Sequence, residues 1–149
     1  MLAFRFECMG DLIELTIDEV FGVPNETSYS GGYGAKGRLT IKASEYTVNE
    51  AQHYFTTGEL YQFMRQLEQC YKTISGTAKL EDFECELELE CLVNKMGHVF
   101  LTGSFQGRPD IKNVLTFELR SDQTQILPVI ASLKKVYEVF GDDKGIKRC

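Results

Sequence analysis

Two stretches of this chain carry an apolar stripe of helical period, and the other apolar runs alternate with period two. In the first stripe Leu60, Phe63, Met64, Leu67, Tyr71 and Ile74 fall at i, i+3, i+4, i+7, i+11 and i+14. Thr56-Thr57-Gly58-Glu59 precedes it with capping-box spacing, and Gly76 stops it. In the second, Ile126, Val129, Ile130, Leu133, Val136 or Tyr137, and Phe140 repeat the stripe. Ser121, Asp122 and Thr124 are its candidate N-caps, Pro128 must lie in or near the first turn, and Gly141 ends it. Both stripes need a surface to bury against, and strands have to supply it.

Leu2, Phe4, Phe6 and Cys8 alternate, then Met9-Gly10-Asp11 turns into Ile13, Leu15 and Ile17. Beyond a Gly-rich loop come Leu39, Ile41 and Ala43, then Tyr46 and Val48, then Ala51, His53 and Phe55 on the opposite parity. That switch predicts a bulge near Asn49-Glu50. After the first helix, Ala78 and Leu80 lead to Phe83, Cys85, Leu87, Leu89 and Cys91, followed by Val99, Leu101 and Phe105 and finally Leu115, Phe117 and Leu119. Short connections favour antiparallel neighbours. The expected fold is therefore α+β, a curved antiparallel eight-stranded sheet with two helices packed on one face, in the order ββββα-ββββα. Leu60, Phe63, Met64 and Leu67 align with Ile126, Val129, Ile130 and Leu133, which suggests an internal repeat of residues 1–75 and 76–141. Residues 1–141 read as one domain and 142–149 as a frayed, charged tail.

A chain of 149 residues with 43% apolar content can bury a core without staples. Its net charge of −6 argues against nucleic acid as a direct partner, because phosphate neutralisation needs clustered Lys and Arg. The first residues lack the basic start and unbroken apolar run of a signal peptide, and no run reaches the ~20 apolar residues of a membrane span, so a cytoplasmic protein is expected. The five cysteines are odd in number and show no Cys-x-x-Cys spacing. Cys85 and Cys91, on one side of a predicted strand, would stand ~20 Å apart, too far for a disulfide. Reduced thiols are expected, with no metal and no cofactor.

Catalytic chemistry is not evident. The chain has two histidines, His53 and His98, and neither belongs to a recognisable triad or metal signature. His53 reads as a packing residue near a strand end and His98 as a turn residue. Gly31 to Lys36 has the wrong spacing for a phosphate-binding loop and leads into a strand, so a flexible loop is expected there. Its Tyr29 and Tyr33 are candidates for contact surface.

The most unusual segment is Glu84-Cys85-Glu86-Leu87-Glu88-Leu89-Glu90-Cys91. Its four glutamates alternate with apolar residues, so as a strand they would project from one face at spacings of ~6.6 Å. One reading is a solvated outer face neutralised by cross-strand bases such as Lys79 or Arg120. The other is an acidic patch that steers a basic partner, enlarged by Asp18, Glu14 and Glu118. The expected partner-binding residues are Glu84, Glu86, Glu88, Glu90, Glu118, Asp18, Tyr29 and Tyr33.

Phe55-Thr56-Thr57-Gly58-Glu59-Leu60 with Leu67 and Tyr71, Gly97-His98-Val99, Asn113-x-Leu115-x-Phe117 and Ser121-Asp122-Gln123-Thr124 together resemble the WapI-type immunity proteins of bacterial contact-dependent toxin systems. Gly31-Gly32-Tyr33 resembles a version seen in part of that family. The similarity runs over nearly the whole chain. It implies a cytoplasmic antidote that binds the C-terminal domain of a cognate polymorphic toxin and blocks it without catalysis. Toxins of this group are often nucleases, whose substrate surfaces tend to be basic. Three other readings compete: a small-molecule binder with a pocket between sheet and helices, an enzyme built on His53 or His98, and self-association through an open sheet face or edge.

Overall fold

The structure, a computed structural model, describes residues 1–82 and 86–147. Strands β1 (Leu2–Cys8), β2 (Asp11–Val20), β3 (Gly34–Ala43) and β4 (Tyr46–Thr56) form one antiparallel sheet in sequential order. Helix α1 (Thr57–Thr73) follows. Strands β5 (Gly76–Glu81), β6 (Leu87–Val93), β7 (His98–Phe105) and β8 (Leu115–Asp122) form the second sheet, again in order, and α2 (Ile126–Phe140) closes the sequence of elements. The α+β class, the antiparallel pairing and the ββββα-ββββα order are those expected. The strands divide into two sheets of four, where the sequence alone suggests one of eight. Pairing between neighbours is local in sequence, but α1 intervenes between β4 and β5 and no ladder joins them.

Each helix packs along the first strand of the other sheet, α1 on β5 and α2 on β1. The side-chain amide of Gln66 on α1 completes the β5 edge as a further strand would. Its Oε1 accepts from Lys79 N at 2.9 Å, and its Nε2 donates to Lys79 O at 3.4 Å. At Lys79 the edge is thus no longer open to a foreign strand. The inward residues of both sheets and the stripes of both helices merge into one core that includes Phe4, Phe6, Leu39, Phe63, Leu67, Leu89, Leu101 and Leu133.

The helix starts form as their sequences dictate. Thr56 caps α1, its hydroxyl accepting from Glu59 N at 3.1 Å. Asp122 accepts from Thr124 N at 2.9 Å and opens a 3-10 turn, Gln123–Gln125, that feeds α2 with Pro128 in its first turn. The bulge at Asn49-Glu50 is present: Leu39 faces Ala51 while Ile41 faces Val48, and Glu50 takes a positive φ of 47°. This shift in parity turns His53 and Phe55 inward.

Each third strand also carries one inward glycine roofed by an aromatic ring from the fourth. A Cβ on Gly37 would lie 1.8 Å from Thr16 O and 3.1 Å from the Phe55 ring. One on Gly103 would lie 2.2 Å from Glu88 O and 3.0 Å from the Phe117 ring. The two strands therefore approach more closely than any side chain allows.

The Gly-rich segment is clamped rather than loose. Tyr33 N donates to Thr57 Oγ1 at 2.8 Å, and Thr57 N donates to Tyr33 O at 2.8 Å. Residues 142–147, read from the sequence as frayed, fold back onto the same loop. Asp142 is buried and its Oδ1 accepts from Lys144 N and Ile146 N, while Asp143 O accepts from Gly32 N at 2.5 Å.

Candidate partner-binding surface

The outer face of the second sheet brings together Lys79 and Glu81 from β5, Glu88 and Glu90 from β6, Thr102 and Ser104 from β7, and Thr116, Glu118 and Arg120 from β8. Register sets their rows. Glu81 stands opposite Glu88, which faces Ser104, which faces Thr116; Lys79 stands opposite Glu90, which faces Thr102, which faces Glu118. Small hydroxyls and Gly103 leave an open groove of about 450 Å³ between the acids. Arg120 reaches Glu118 at 3.6 Å on the exposed rim. Among the described residues no ion pair reaches Glu81, Glu88 or Glu90. Like charges placed directly opposite one another weaken a sheet, so the Glu81–Glu88 pair works against stability where it stands.

The other expected contact residues are distributed differently. Glu84 lies outside the described residues. Glu86 is not on a strand at all: it sits at the bend before β6, only 15% of its side chain is exposed, and its Oε2 lies 3.4 Å from His53 Nδ1. The sequence suggests one long strand from Phe83; residues 83–85 lie outside the described residues, and β6 begins at Leu87. Asp18 and Glu14 belong to the first sheet, where Arg38 holds Asp18 at 3.1 Å and Arg5 holds Glu14 at 2.8 Å. They do not extend the patch on the second sheet. Tyr29 is fully exposed at the tip of the clamped loop. Tyr33 is 4% exposed, with its hydroxyl donating to Pro24 O at 2.7 Å, and offers no contact area. Glu81 was not anticipated; only the β5–β6 register reveals it.

Beneath this face lies a buried polar cluster. His53 is 1% exposed, its Nε2 3.1 Å from Asp82 Oδ2. Asp82 also accepts from Glu86 N at 2.9 Å and Leu87 N at 3.0 Å. Burial would raise the Asp82 carboxyl, but His53 and the two N–H groups together hold it below the usual carboxylate range. Glu59 goes the other way: burial pushes it up to about 7, against the pull of the Thr56 hydroxyl and N–H. Neither Glu59 oxygen makes a well-formed hydrogen bond among the described residues.

Among the described residues the imidazole thus has carboxylate neighbours and is almost fully enclosed. His98 sits exposed at the start of β7, edge-on to Phe100 at 6.5 Å. Cys70 and Cys91 are buried free thiols, and burial raises Cys91 to about 12, far from thiolate chemistry at neutral pH. Cys8 is half-buried and free, while Cys85 and Cys149 lie outside the described residues. Among the described residues no group of three His, Cys, Asp or Glu converges as a metal site, and no helix is long and apolar enough to cross a membrane. The space beneath the helices is filled by core side chains such as Leu60, Phe63, Ile130 and Leu133.

The family model of the immunity protein WapI-like family matches residues 7–141. The chain belongs to that family. Membership implies an immunity role, with a toxin protein as the partner. No curated protein and no solved structure matches the chain. In this WapI-like fold the motifs that carry the family likeness occupy joints. Thr56 and Glu59 start α1, Asp122 starts the turn into α2, Gly97 turns into β7 with φ 80°, and Gly32 packs on the α1 start, where a Cβ would meet Gly58 N at 2.3 Å. The groove on the second sheet lies apart from them.

Proposed function

We propose that this protein is a non-catalytic antidote that binds the C-terminal toxin domain of a cognate bacterial polymorphic toxin, and that the outer face of the second sheet makes the contact. The observation that carries the reading is the pair Glu81 and Glu88, opposite one another in a row that contains no base, beside an open groove. Such a face costs stability in the free protein and is compensated only when basic groups cover it. The partner surface is accordingly basic, the character of a nuclease's substrate-binding site, and the antidote occupies the place of the nucleic acid. Long-range attraction of this kind raises association rates by roughly 10- to 1,000-fold and fades steeply with salt.

The test is a growth-protection assay with the toxin domain encoded beside this protein. Glu88→Lys with Glu90→Lys is expected to abolish protection while the purified variant keeps its unfolding midpoint. Full protection by that variant would remove the acidic face from the mechanism. Failure of the wild-type protein to protect against, or co-purify with, that toxin domain would remove the immunity pairing itself.

A further inference from the structure

We infer that His53 is a positioning residue for the acidic face, a buried pin from the first sheet that, through Asp82, ties the end of β5 to the start of β6 so that Glu81 and Glu88 stand side by side despite their repulsion. The inference deepens the proposed reading of that face and rests on it for its functional meaning; the mechanical part stands on geometry alone. Glu81 is the last residue of β5 and Asp82 follows it directly; Leu87 is the first of β6 and Glu88 follows that. The Asp82 carboxylate therefore grips the hairpin at the point where the two acids meet, by accepting Glu86 N and Leu87 N.

Asp82 is itself buried, so its charge needs a partner. The His53 Nε2 at 3.1 Å is that partner, and it comes from the opposite sheet. The ring cannot swing away. It stacks on Phe55 at 5.8 Å and takes the edge of Phe105 at 6.0 Å, while its Nδ1 faces Glu86. The bulge in β4 is what aims the imidazole inward. Sequence position thus links to function through three steps: bulge, pin, and paired carboxylates held ready for a cation. Holding them in advance spares the partner the cost of organising them on binding.

The experiment measures amide hydrogen exchange in the full chain with His53→Gln, Glu88→Gln and both together. His53→Gln is expected to speed exchange across Leu87–Glu90 by tenfold or more while Leu39 and Ile41 keep their protection. Adding Glu88→Gln, which relieves the repulsion, should restore much of the protection; adding Glu90→Gln instead should not. Equal acceleration in both sheets, or no recovery from Glu88→Gln, would overturn the pin. If His53→Gln does not fold, Asp82→Asn takes its place with the same expected outcomes. A hexa-arginine peptide then probes the face, with affinity expected to fall five- to tenfold in His53→Gln. If that peptide does not bind the wild-type protein while the exchange pattern holds, the pin stands and the reading of the face as a surface for basic partners fails. If it binds both proteins equally, His53 has no part in recognition.

Discussion

The two sheets of this protein share strand number and sequential order, yet their outer faces differ in how far their acids are neutralised. On the first sheet Arg5 bridges Glu7 and Glu14, and Arg38 bridges Asp18 and Glu50, so each arginine ties down two carboxylates. On the second, Lys79 stands opposite Glu90 and Arg120 pairs with Glu118, but Glu81 faces Glu88 with no base between them and their row continues into Ser104 and Thr116. A self-neutralised face has little to gain from a charged partner, because each new contact must first break an existing one. An unneutralised face gains in full. On the proposed reading, that difference makes the first sheet a support and the second the recognising one, although both carry the same pattern of alternating residues.

The roofed glycines give the largest expected effect and one way to separate the two roles. Gly37→Ala and Gly103→Ala each force a methyl group into backbone, and each should cost about 2–4 kcal/mol in urea unfolding. Gly103→Ala pushes directly on Glu88 O and should also weaken toxin binding, whereas Gly37→Ala should leave binding intact wherever the protein remains folded. Equal binding loss from both would erase the distinction between the sheets.

Charge reversal comes next. Glu88→Lys with Glu90→Lys should lower affinity for the toxin domain by roughly 10- to 100-fold, with most of the loss disappearing at high salt. The matching change on the first sheet, Glu14→Lys with Glu50→Lys, should leave affinity unchanged and cost only about 1 kcal/mol of stability, since exposed pairs contribute little. Titration calorimetry at two salt concentrations checks both.

Glu59 gives a smaller, pH-dependent effect. Its carboxyl sits at about 7 in the folded protein against an ordinary value of 4.5. The folded state thus holds a proton that the unfolded chain has released, and the resulting stability is complete below pH 4.5 and lost as pH rises through 7. Glu59→Gln, which keeps the side chain's shape and the Thr56 cap on the backbone N–H, should remove that loss and stabilise the protein at pH 8 by on the order of 2 kcal/mol, after allowing for solvent screening. At pH 5 it should change little. Asp82 works in the opposite sense: its depressed carboxyl contributes stability above its unfolded value of 3.8 that disappears as pH falls through the lower folded one. The smallest effect is Tyr33→Phe, which removes one hydrogen bond to Pro24 and should cost about 1 kcal/mol in thermal unfolding without touching recognition.

Much of this was legible in the sequence because periodicity and caps are local. The two helices, the Thr56 and Asp122 caps, the bulge at Asn49-Glu50 and the outward aim of Glu88 and Glu90 follow from spacing alone. The division into two sheets was not legible, since it depends on which strands fail to pair across α1. Glu86 was misplaced because Asp82 satisfies the backbone at the start of β6 with its side chain, a role that alternation cannot register. Tyr33 looked like loop surface among glycines, but it is held under Pro24 by a contact between residues nine apart. His53 reads as a packing residue from its own strand, and its partners enter the chain some thirty residues later.

The crossing of α1 onto β5 and of α2 onto β1 makes the two halves hostages to one another. A cut in the chain between Thr73 and Gly76 would leave each fragment with a naked leading strand and a greasy helix that has nothing to lie on. Neither piece alone has the means to finish its own fold, but mixed together they carry complementary missing parts. Loss of either half is therefore expected to unfold the other, and a nicked protein to regain its shape only by reuniting with its other piece.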